Sequence, residues 1–350
     1  MVAVLVAACP HALGIGVPLA AIVTSFRGAR KGILVRNRRA FERAVKASVV
    51  IFDKTGTLTE GRLVVRNIQT FNGARTGEVL ELVATVESLS EHPIAQAVVK
   101  YAKSMGVRIR KCVDFQVISG IGVRGSVDGI EVFAGGPALL KYLGLIPPVS
   151  QSVDGTIIYV IADKKLIGKI ILDDIIREES REAISKLKRV GLKIAMLTGD
   201  SRRIAEKVSK DLKIDLFFAE LTPEDKVKAI EELQREGHIV IMVGDGINDA
   251  PALVKADVGV AIGAGTQVAI ESADVVLVRS DPRDVVNMLT LSKEMRRKMI
   301  LNVTWTLGYN IIVMMLAAGL LSGLGLLLTP TLGAISMALS DIVAITISVR

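Results

Sequence analysis

The hydrophobic positions of this chain fall into three patterns. The first is a short unbroken apolar run closed by an oxygen-rich turn. Val49-Val50-Ile51-Phe52 precedes Asp53, Ile194-Ala195-Met196-Leu197 precedes Thr198, and Ile239-Val240-Ile241-Met242 precedes Val243-Gly244-Asp245. Runs of this length and content predict buried strands, as in a parallel sheet. The second pattern is alternation. Val123 to Phe133 reads as two strands joined at Asp128-Gly129, a hairpin turn. With strands around 115–135 and 156–171 and a helix after His92, the middle of the chain predicts a sheet with two helices. The third pattern is the long uncharged stretch. One is Met1–Ser25. The other runs from Met299 to Ser340, about 42 positions, which is too long for one membrane span and right for two, with Leu328-Thr329-Pro330 at the turn. Gly308, Gly319, Gly323 and Gly325 suit close helix packing in lipid.

The turns that close the strands carry the chemistry. Asp53-Lys54-Thr55-Gly56-Thr57 places a carboxylate at the carboxyl end of a strand, where open α/β sheets put their reactive groups. Such a carboxylate can attack phosphorus and carry the phosphoryl group covalently. Lys54 supplies charge, Thr55 and Thr57 supply hydroxyl and backbone contacts, and Gly56 lets the backbone approach phosphate. Thr198-Gly199-Asp200 and Gly244-Asp245-Gly246-Ile247-Asn248-Asp249 are comparable turns downstream. Between them Thr222-Pro223-Glu224-Asp225-Lys226 opens a helix, with Thr222 as cap and Pro223 at the first position. A phosphoryl-transfer site needs this set: Asp53 as nucleophile, Thr198 to hold phosphate oxygens, Lys226 to neutralise charge, and Asp245 and Asp249 to hold or orient Mg²⁺.

In this order DKTGT at 53–57, TGD at 198–200, PEDK at 223–226 and GDGINDAPAL at 244–253 resemble the phosphorylation-domain signatures of P-type ATPases, a branch of the haloacid-dehalogenase-like superfamily. The resemblance implies ATP and Mg²⁺ as cofactors and an aspartyl phosphate at Asp53. Lys54, Gly199, Asp200, Asn248 and Asp249 lie within the matching motifs. It also implies that Thr55 gives a backbone carbonyl, and Asp245 a side-chain oxygen, to Mg²⁺. The implied fold is an α/β haloacid-dehalogenase-like phosphorylation domain with an inserted α+β nucleotide domain, plus transmembrane helices.

Cys9-Pro10-His11 lies inside the first uncharged stretch. Pro10 lacks an N–H and is expected to kink a helix between a thiol and an imidazole. That donor pair favours copper or zinc over calcium, magnesium or potassium. The segment resembles the CPx motif of heavy-metal P-type ATPases in its CPH variant, which is associated with copper export. Tyr309-Asn310 and then Met337 and Ser340 match pairs that this family carries in its last helices, so Cys9, His11, Tyr309, Asn310, Met337 and Ser340 are the expected ligands of the transported metal. Asp341 departs from the copper pattern. A carboxylate within a span is functional by default, and it suits Zn²⁺, Cu²⁺ or a proton relay.

Ser90-Glu91-His92-Pro93 is similar to the SEHP mark of the same family, whose His stacks on or orients adenine; Ser90 also reads as a helix cap. Gly120-Ile121-Gly122-Val123-Arg124-Gly125 spells G-x-G-x-x-G, yet the following residues alternate like strands, which excludes a dinucleotide-binding turn. In heavy-metal ATPases a glycine pair here lets adenosine approach the sheet. Glu87, His92, Gly120 and Gly122 are the expected nucleotide contacts.

Composition agrees. The chain has 350 residues and is 50% hydrophobic with net charge +8. Arg27, Arg30, Lys31, Arg36, Arg38, Arg39, Arg43 and Lys46 follow the first span, and Lys293, Arg296, Arg297 and Lys298 precede the second. Both flanks are therefore expected in the cytoplasm, as parts of a multi-pass cell-membrane protein. The basic residues cluster at span ends, so nucleic-acid binding is not expected. Cys9 and Cys112 are far apart and imply neither a disulfide nor a CxxC metal module. The expected organisation is a span at 1–25, a basic connector at 26–48, a phosphorylation domain at 49–62 and 166–285, a nucleotide domain at 63–165, a stalk at 286–298, and spans at 299–328 and 331–350.

The family has further membrane helices before the CPx helix and an actuator domain with a TGE loop. Thr76-Gly77-Glu78 spells TGE but follows Asp53 and reads as a Thr cap with a first-turn Glu. The chain is expected to be a C-terminal fragment, a truncated reading frame or half of a split pump, with a missing N-terminal half as partner. The alternatives are a zinc, cadmium or cobalt pump, a haloacid-dehalogenase-like phosphatase, and a non-catalytic metal-binding membrane subunit. A phosphatase of that superfamily places a second Asp two residues after its nucleophile, where Thr55 stands here.

Overall fold

The structure is a computed structural model that describes residues 11–146, 155–263, 266–320 and 328–350. Its strands, in chain order, are β1 Ile33–Val35, β2 Val49–Asp53, β3 Thr59–Thr70, β4 Cys112–Ile118, β5 Gly122–Val127, β6 Ile130–Gly135, β7 Thr156–Ala162, β8 Lys165–Ile176, β9 Lys193–Leu197, β10 Leu216–Phe218, β11 Val240–Gly244, β12 Val258–Ile262 and β13 Val275–Leu277. They form two sheets, of order β1-β13-β12-β11-β2-β9-β10 and β3-β8-β7-β6-β5-β4. Backbone contacts divide the chain into two units: the described residues of Met1–Asp53, Glu179–Leu197 and Leu212–Arg350, and those of Lys54–Glu178 and Thr198–Asp211.

In the first unit every sheet pairing except β1 with β13 is parallel. Strands β2, β11 and β12 are buried at every position. That is the physical basis of their unbroken apolar runs, since a parallel sheet is covered on both faces. Val49, Ile51, Ala195, Leu197, Val240 and Met242 pack with Ala229, Ile230 and Leu233 of the helix Pro223–Arg235. The β2 pairs Asp53↔Leu197 and Phe52↔Val243 align the carboxyl ends of three strands, so their turns gather at one edge.

The second unit holds the antiparallel sheet. Its strands alternate faces in the usual period of two. Val132 and Ala134 join Val79, Val83, Val86 and Val98 under the helices Thr76–Glu87 and Pro93–Ser104. Phe133 instead faces Leu139 and Leu140 of the helix Pro137–Tyr142. The strand limits differ from the sequence expectation. Segments 59–62 and 166–176, assigned to the phosphorylation domain, belong to β3 and β8, which pair from Thr59↔Ile176 to Thr70↔Gly168 in this second sheet. The reason is cross-strand hydrogen bonding, which apolar runs do not reveal.

Among the described residues, three helices are long and apolar enough to cross a membrane: His11–Arg30, Arg283–Ala317 and Pro330–Val349. The second continues from the stalk residues into the span without a break, and it stops at Ala317 rather than at 328. Gly319 stands past its end with φ +81, and Gly319 N–H and Leu320 N–H donate to the carbonyls of Leu316 and Met315. This is a Schellman cap. Of the glycines expected to pack closely, Gly323 and Gly325 lie outside the described residues, and a Cβ at Gly308 or Gly319 would meet no neighbour within 4 Å; close contact between the described spans falls on Gly16. Nothing approaches a Cβ added at Gly308, whereas one at Gly16 would lie 2.6 Å from Asn302 Oδ1 and 3.3 Å from Ala344 Cβ. Asn302 Nδ2 donates to Ser348 Oγ at 2.9 Å, and Ser348 Oγ donates to the Gly16 carbonyl at 2.9 Å, tying the three helices together.

Candidate functional site

At the edge where β2 and β11 end, Asp53 closes β2, Asp245 follows β11, and Asp249 ends the short turn Ile247–Asp249. Oxygens of the three carboxylates lie within 4.8 Å of one another. Lys226, in the first turn of Pro223–Arg235, reaches Asp53 Oδ1 at 2.5 Å and Asp249 Oδ1 at 2.7 Å. The helix start that aims it is a capping box. Thr222 Oγ1 accepts from Asp225 N–H at 3.2 Å, and Asp225 Oδ2 accepts from Thr222 N–H at 3.3 Å. Asp249 Oδ2 also accepts from Gly246 N–H at 3.3 Å.

Asp53, Lys226 and Asp249 are all buried. Burial pushes the Asp53 carboxyl up to about 7; Asp249 adds repulsion, and the Lys226 ammonium pulls the value partly back. For Lys226 burial favours the neutral form, but the two carboxylates outweigh it and its pKa is raised. One ammonium is thus shared between two of the three carboxyls. That donor set, all hard oxygens, fits Mg²⁺, with Asp53 and Asp245 on the expected side-chain ligands and Asp249 shared with the lysine.

In the second unit Lys54 is buried and ion-paired with Asp200. Thr198 Oγ1 donates to Asp200 Oδ2 at 3.1 Å and accepts from Asp200 N–H at 3.1 Å, so the TGD turn is internally braced. Gly199, Thr55 and Asn248 are exposed. Residues that sequence reasoning missed hold the chain after Asp53. Thr59 Oγ1 donates to Asp174 Oδ2 at 2.5 Å, and Arg177 donates to the carbonyls of Thr59 and Gly56 at 2.9 and 3.3 Å. The one signal in the sequence was Asp173-Asp174 closing an apolar run, which is weak by itself.

Glu87, His92, Gly120 and Gly122 line one cavity of about 550 Å³ in this unit. That volume suits a small-molecule ligand. His92, not Ser90, caps the helix Pro93–Ser104: His92 Nδ1 accepts from Ile94 N–H at 3.2 Å, while Ser90 Oγ accepts from His92 N–H at 3.3 Å. Gly122 answers to the sheet itself. A Cβ there would lie 2.2 Å from the Ala134 carbonyl oxygen, whereas Gly120 has open space around it. Burial pushes Glu87 up to about 7, and its carboxylate makes no hydrogen bond or ion pair among the described residues.

Of the expected ligands for a transported metal, Cys9 lies outside the described residues, as does Pro10. His11 Nδ1 meets Asp341 Oδ2 at 3.0 Å, and Asp341 Oδ1 is buried with no hydrogen-bond partner. Tyr309 donates to Ser336 Oγ at 2.8 Å and stacks on Trp305, whose Nε1–H donates to Ser340 Oγ at 3.1 Å. Asn310 is buried and Met337 half-buried. The structure thus joins His11 to the residue that departed from the expected pattern, and it gives Tyr309 and Ser340 other partners. The TGE at 76–78 opens the helix Thr76–Glu87, with Thr76 inside the helix rather than capping it.

A family model for haloacid dehalogenase-like hydrolases matches residues 47–257. A copper-exporting P-type ATPase B from Archaeoglobus fulgidus is 46% identical over 348 residues, which cover 98% of this chain and 50% of that protein. The crystal structure of a zinc-transporting PIB-type ATPase in an E2.Pi state superposes with TM-score 0.84 at 33% identity, over 98% of this chain and 56% of that one. A solved catalytic domain of the CPx-ATPase CopB-B, studied for its changes on nucleotide binding, superposes with TM-score 0.65 at 35% identity, over 76% of this chain and 98% of that one. The chain spans about half the length of the curated relatives it matches.

Proposed function

We propose, from the premise that this chain belongs to the haloacid dehalogenase-like hydrolase family in its P-type ATPase branch, that it forms an aspartyl phosphate at Asp53 and uses it to drive export of a heavy-metal cation, copper foremost. The observation that carries the reading is the cluster of Asp53, Asp245 and Asp249, with Lys226 between the two that are buried, Asp53 and Asp249. An ionised Asp53 oxygen attacks the γ-phosphorus of ATP, a bond to Asp53 forms, the bond to the bridging oxygen breaks, and ADP leaves. Lys226 holds Asp53 in place and offsets charge as the phosphoryl group arrives. Mg²⁺, held by Asp53, Asp245 and the Thr55 carbonyl, would screen phosphate charge. The cavity at Glu87 and His92 takes the adenosine. Thr198 and Lys54 serve the phosphoryl oxygens from their braced turn.

The test is acid quench after incubation with γ-labelled ATP and Mg²⁺. Acid-stable label released by hydroxylamine is expected in the wild type and is expected to be absent in Asp53→Asn. Label that persists in Asp53→Asn would sink the assignment.

Copper is favoured by the match of this chain to copper-transporting relatives and by Met337, a soft thioether with no use for Zn²⁺. With Nδ1 engaged by Asp341, His11 offers Nε2 as its ligand atom, an arrangement common around bound metals. The orphaned Asp341 Oδ1 favours a second reading, a harder ion such as Zn²⁺. A chimera carrying the preceding half of a relative discriminates the two. Copper is expected to stimulate its ATP hydrolysis, and Cys9→Ala with His11→Ala is expected to abolish the stimulation. Stimulation by Zn²⁺ or Cd²⁺ but by neither copper state overturns copper, and stimulation that survives the double substitution overturns the site.

A further inference from the structure

A cavity of about 670 Å³ lies where the charged and uncharged parts of the long helix Arg283–Ala317 meet, facing the short basic helix Arg38–Arg43 and the turn Ala44–Lys46. Two stripes line it. On the long helix Arg296, Met299, Ile300 and Val303 follow at helical spacing and share one face. On the short segment Arg39, Arg43 and Lys46 do the same, and Val17 of the first span adds to the apolar wall. The cavity is therefore cationic at one end and apolar at the other. The change falls where the uncharged stretch that begins at Met299 would enter hydrocarbon.

The charges are mostly uncompensated. Arg43 is paired with Asp257 at 2.7 Å, and Glu42, the carboxylate of the lining, is held by Arg38 at 2.8 Å. The side chains of Arg39, Lys46 and Arg296 make no ion pair or hydrogen bond among the described residues. Three free cations around one hollow repel one another, and an anion relieves that repulsion. A soluble anion would satisfy the cations but would leave Met299, Ile300 and Val303 without a partner. A neutral lipid would do the reverse.

We propose that this cavity binds one anionic phospholipid, its phosphodiester among Arg39, Lys46 and Arg296 and its acyl chains along Met299, Ile300, Val303 and Val17. Juxtamembrane cations gain affinity for anionic lipid headgroups in this way. Such a lipid would brace the connector between the first span and β2 against the long helix.

The test is native mass spectrometry of the full 350-residue chain in detergent, with dioleoylphosphatidylglycerol, dioleoylphosphatidylcholine and inorganic phosphate as probes. One phosphatidylglycerol is expected to be retained, phosphatidylcholine at least about tenfold more weakly, and millimolar phosphate is not expected to displace the lipid. Arg39→Gln with Lys46→Gln and Arg296→Gln is expected to weaken phosphatidylglycerol binding about a hundredfold. A control that removes equal charge outside the cavity, Lys31→Gln with Lys293→Gln and Arg297→Gln, is expected to stay within about threefold of wild type. Arg39→Lys with Arg296→Lys should retain binding, and unchanged helix content by circular dichroism shows that the variants fold. Equal loss in both triple variants, equal binding by wild type and the cavity variant, or equal retention of the two lipids overturns the proposal. Displacement by phosphate assigns the cavity to a soluble anion and overturns it as well.

Discussion

Replacing Lys226 by Met is expected to slow phosphorylation of Asp53 roughly 10²–10³-fold and to destabilise the first unit by about 3–5 kcal/mol. The ammonium lies at 2.5 Å from Asp53 and 2.7 Å from Asp249, and all three groups are buried. Removing it leaves two carboxyls facing each other with no cation, and a buried unpaired charge is far more costly than a lost surface contact. The pH dependence follows from the sign of the Asp53 shift. Its folded pKa, about 7, stands above the ordinary value of 3.8. The protonated form is therefore favoured in the folded state, and stability is lost as pH rises through that interval. Without Lys226 the carboxyl rises further, so the deficit of the variant should be small at acid pH and grow toward alkaline pH. A further Asp249→Asn should return part of the stability but not the phosphorylation rate. Rapid-quench labelling and thermal unfolding between pH 5 and 8 check this. A variant that labels at the wild-type rate would make Lys226 a bystander, and a deficit that does not change with pH would show that the cluster is not what it stabilises.

Glu87→Gln is expected to do the opposite to stability. The Glu87 carboxylate is buried in the cavity wall, unpaired, and pushed from 4.5 to about 7. Its ionised form is therefore disfavoured in the folded chain, and the penalty is complete above about pH 7 and absent below the ordinary glutamate value. The neutral amide should stabilise the second unit by roughly 2–3 kcal/mol at pH 8 and by nothing at pH 4. Hydrogen exchange of the helix Thr76–Glu87 in the full chain reads this directly. A carboxylate held at such a disadvantage in a cavity suits a ligand donor, and the exocyclic amine of adenine is one. ATP affinity of the wild type should therefore rise between pH 6 and 8, while Glu87→Gln binds about tenfold more weakly at pH 8 and without pH dependence. Unchanged stability would mean that the carboxylate is solvated or paired. A more stable variant with unchanged ATP affinity would separate the strain from the nucleotide.

Much of the site was legible because its residues sit at strand ends. A buried parallel strand must be apolar along its whole length, so Val49–Phe52 and Ile239–Met242 announce themselves, and the first oxygen-bearing residues after them mark the edge where chemistry collects. Thr222-Pro223 marked the helix start that carries Lys226, because capping is a matter of a few adjacent residues. The uncharged stretches were equally plain, since a bilayer tests each residue on its own. Tertiary structure decided what depends on partners far away in sequence. The extent of the second sheet was one such matter. Thr59 and Ile176 are paired by hydrogen bonds between strands more than a hundred positions apart, and neither run shows this alone. The partners of charge were another: Lys226 serves two carboxylates, Lys54 pairs with Asp200, and His11 meets Asp341, choices fixed by how the chain folds back. The same holds for the role of each glycine. Gly16 and Gly122 are needed because another backbone or side chain comes close, and Gly308 is not. Local pattern and solvent preference are properties of neighbouring residues and are written in the chain. Pairing, proximity and burial of charge belong to residues that only the fold brings together.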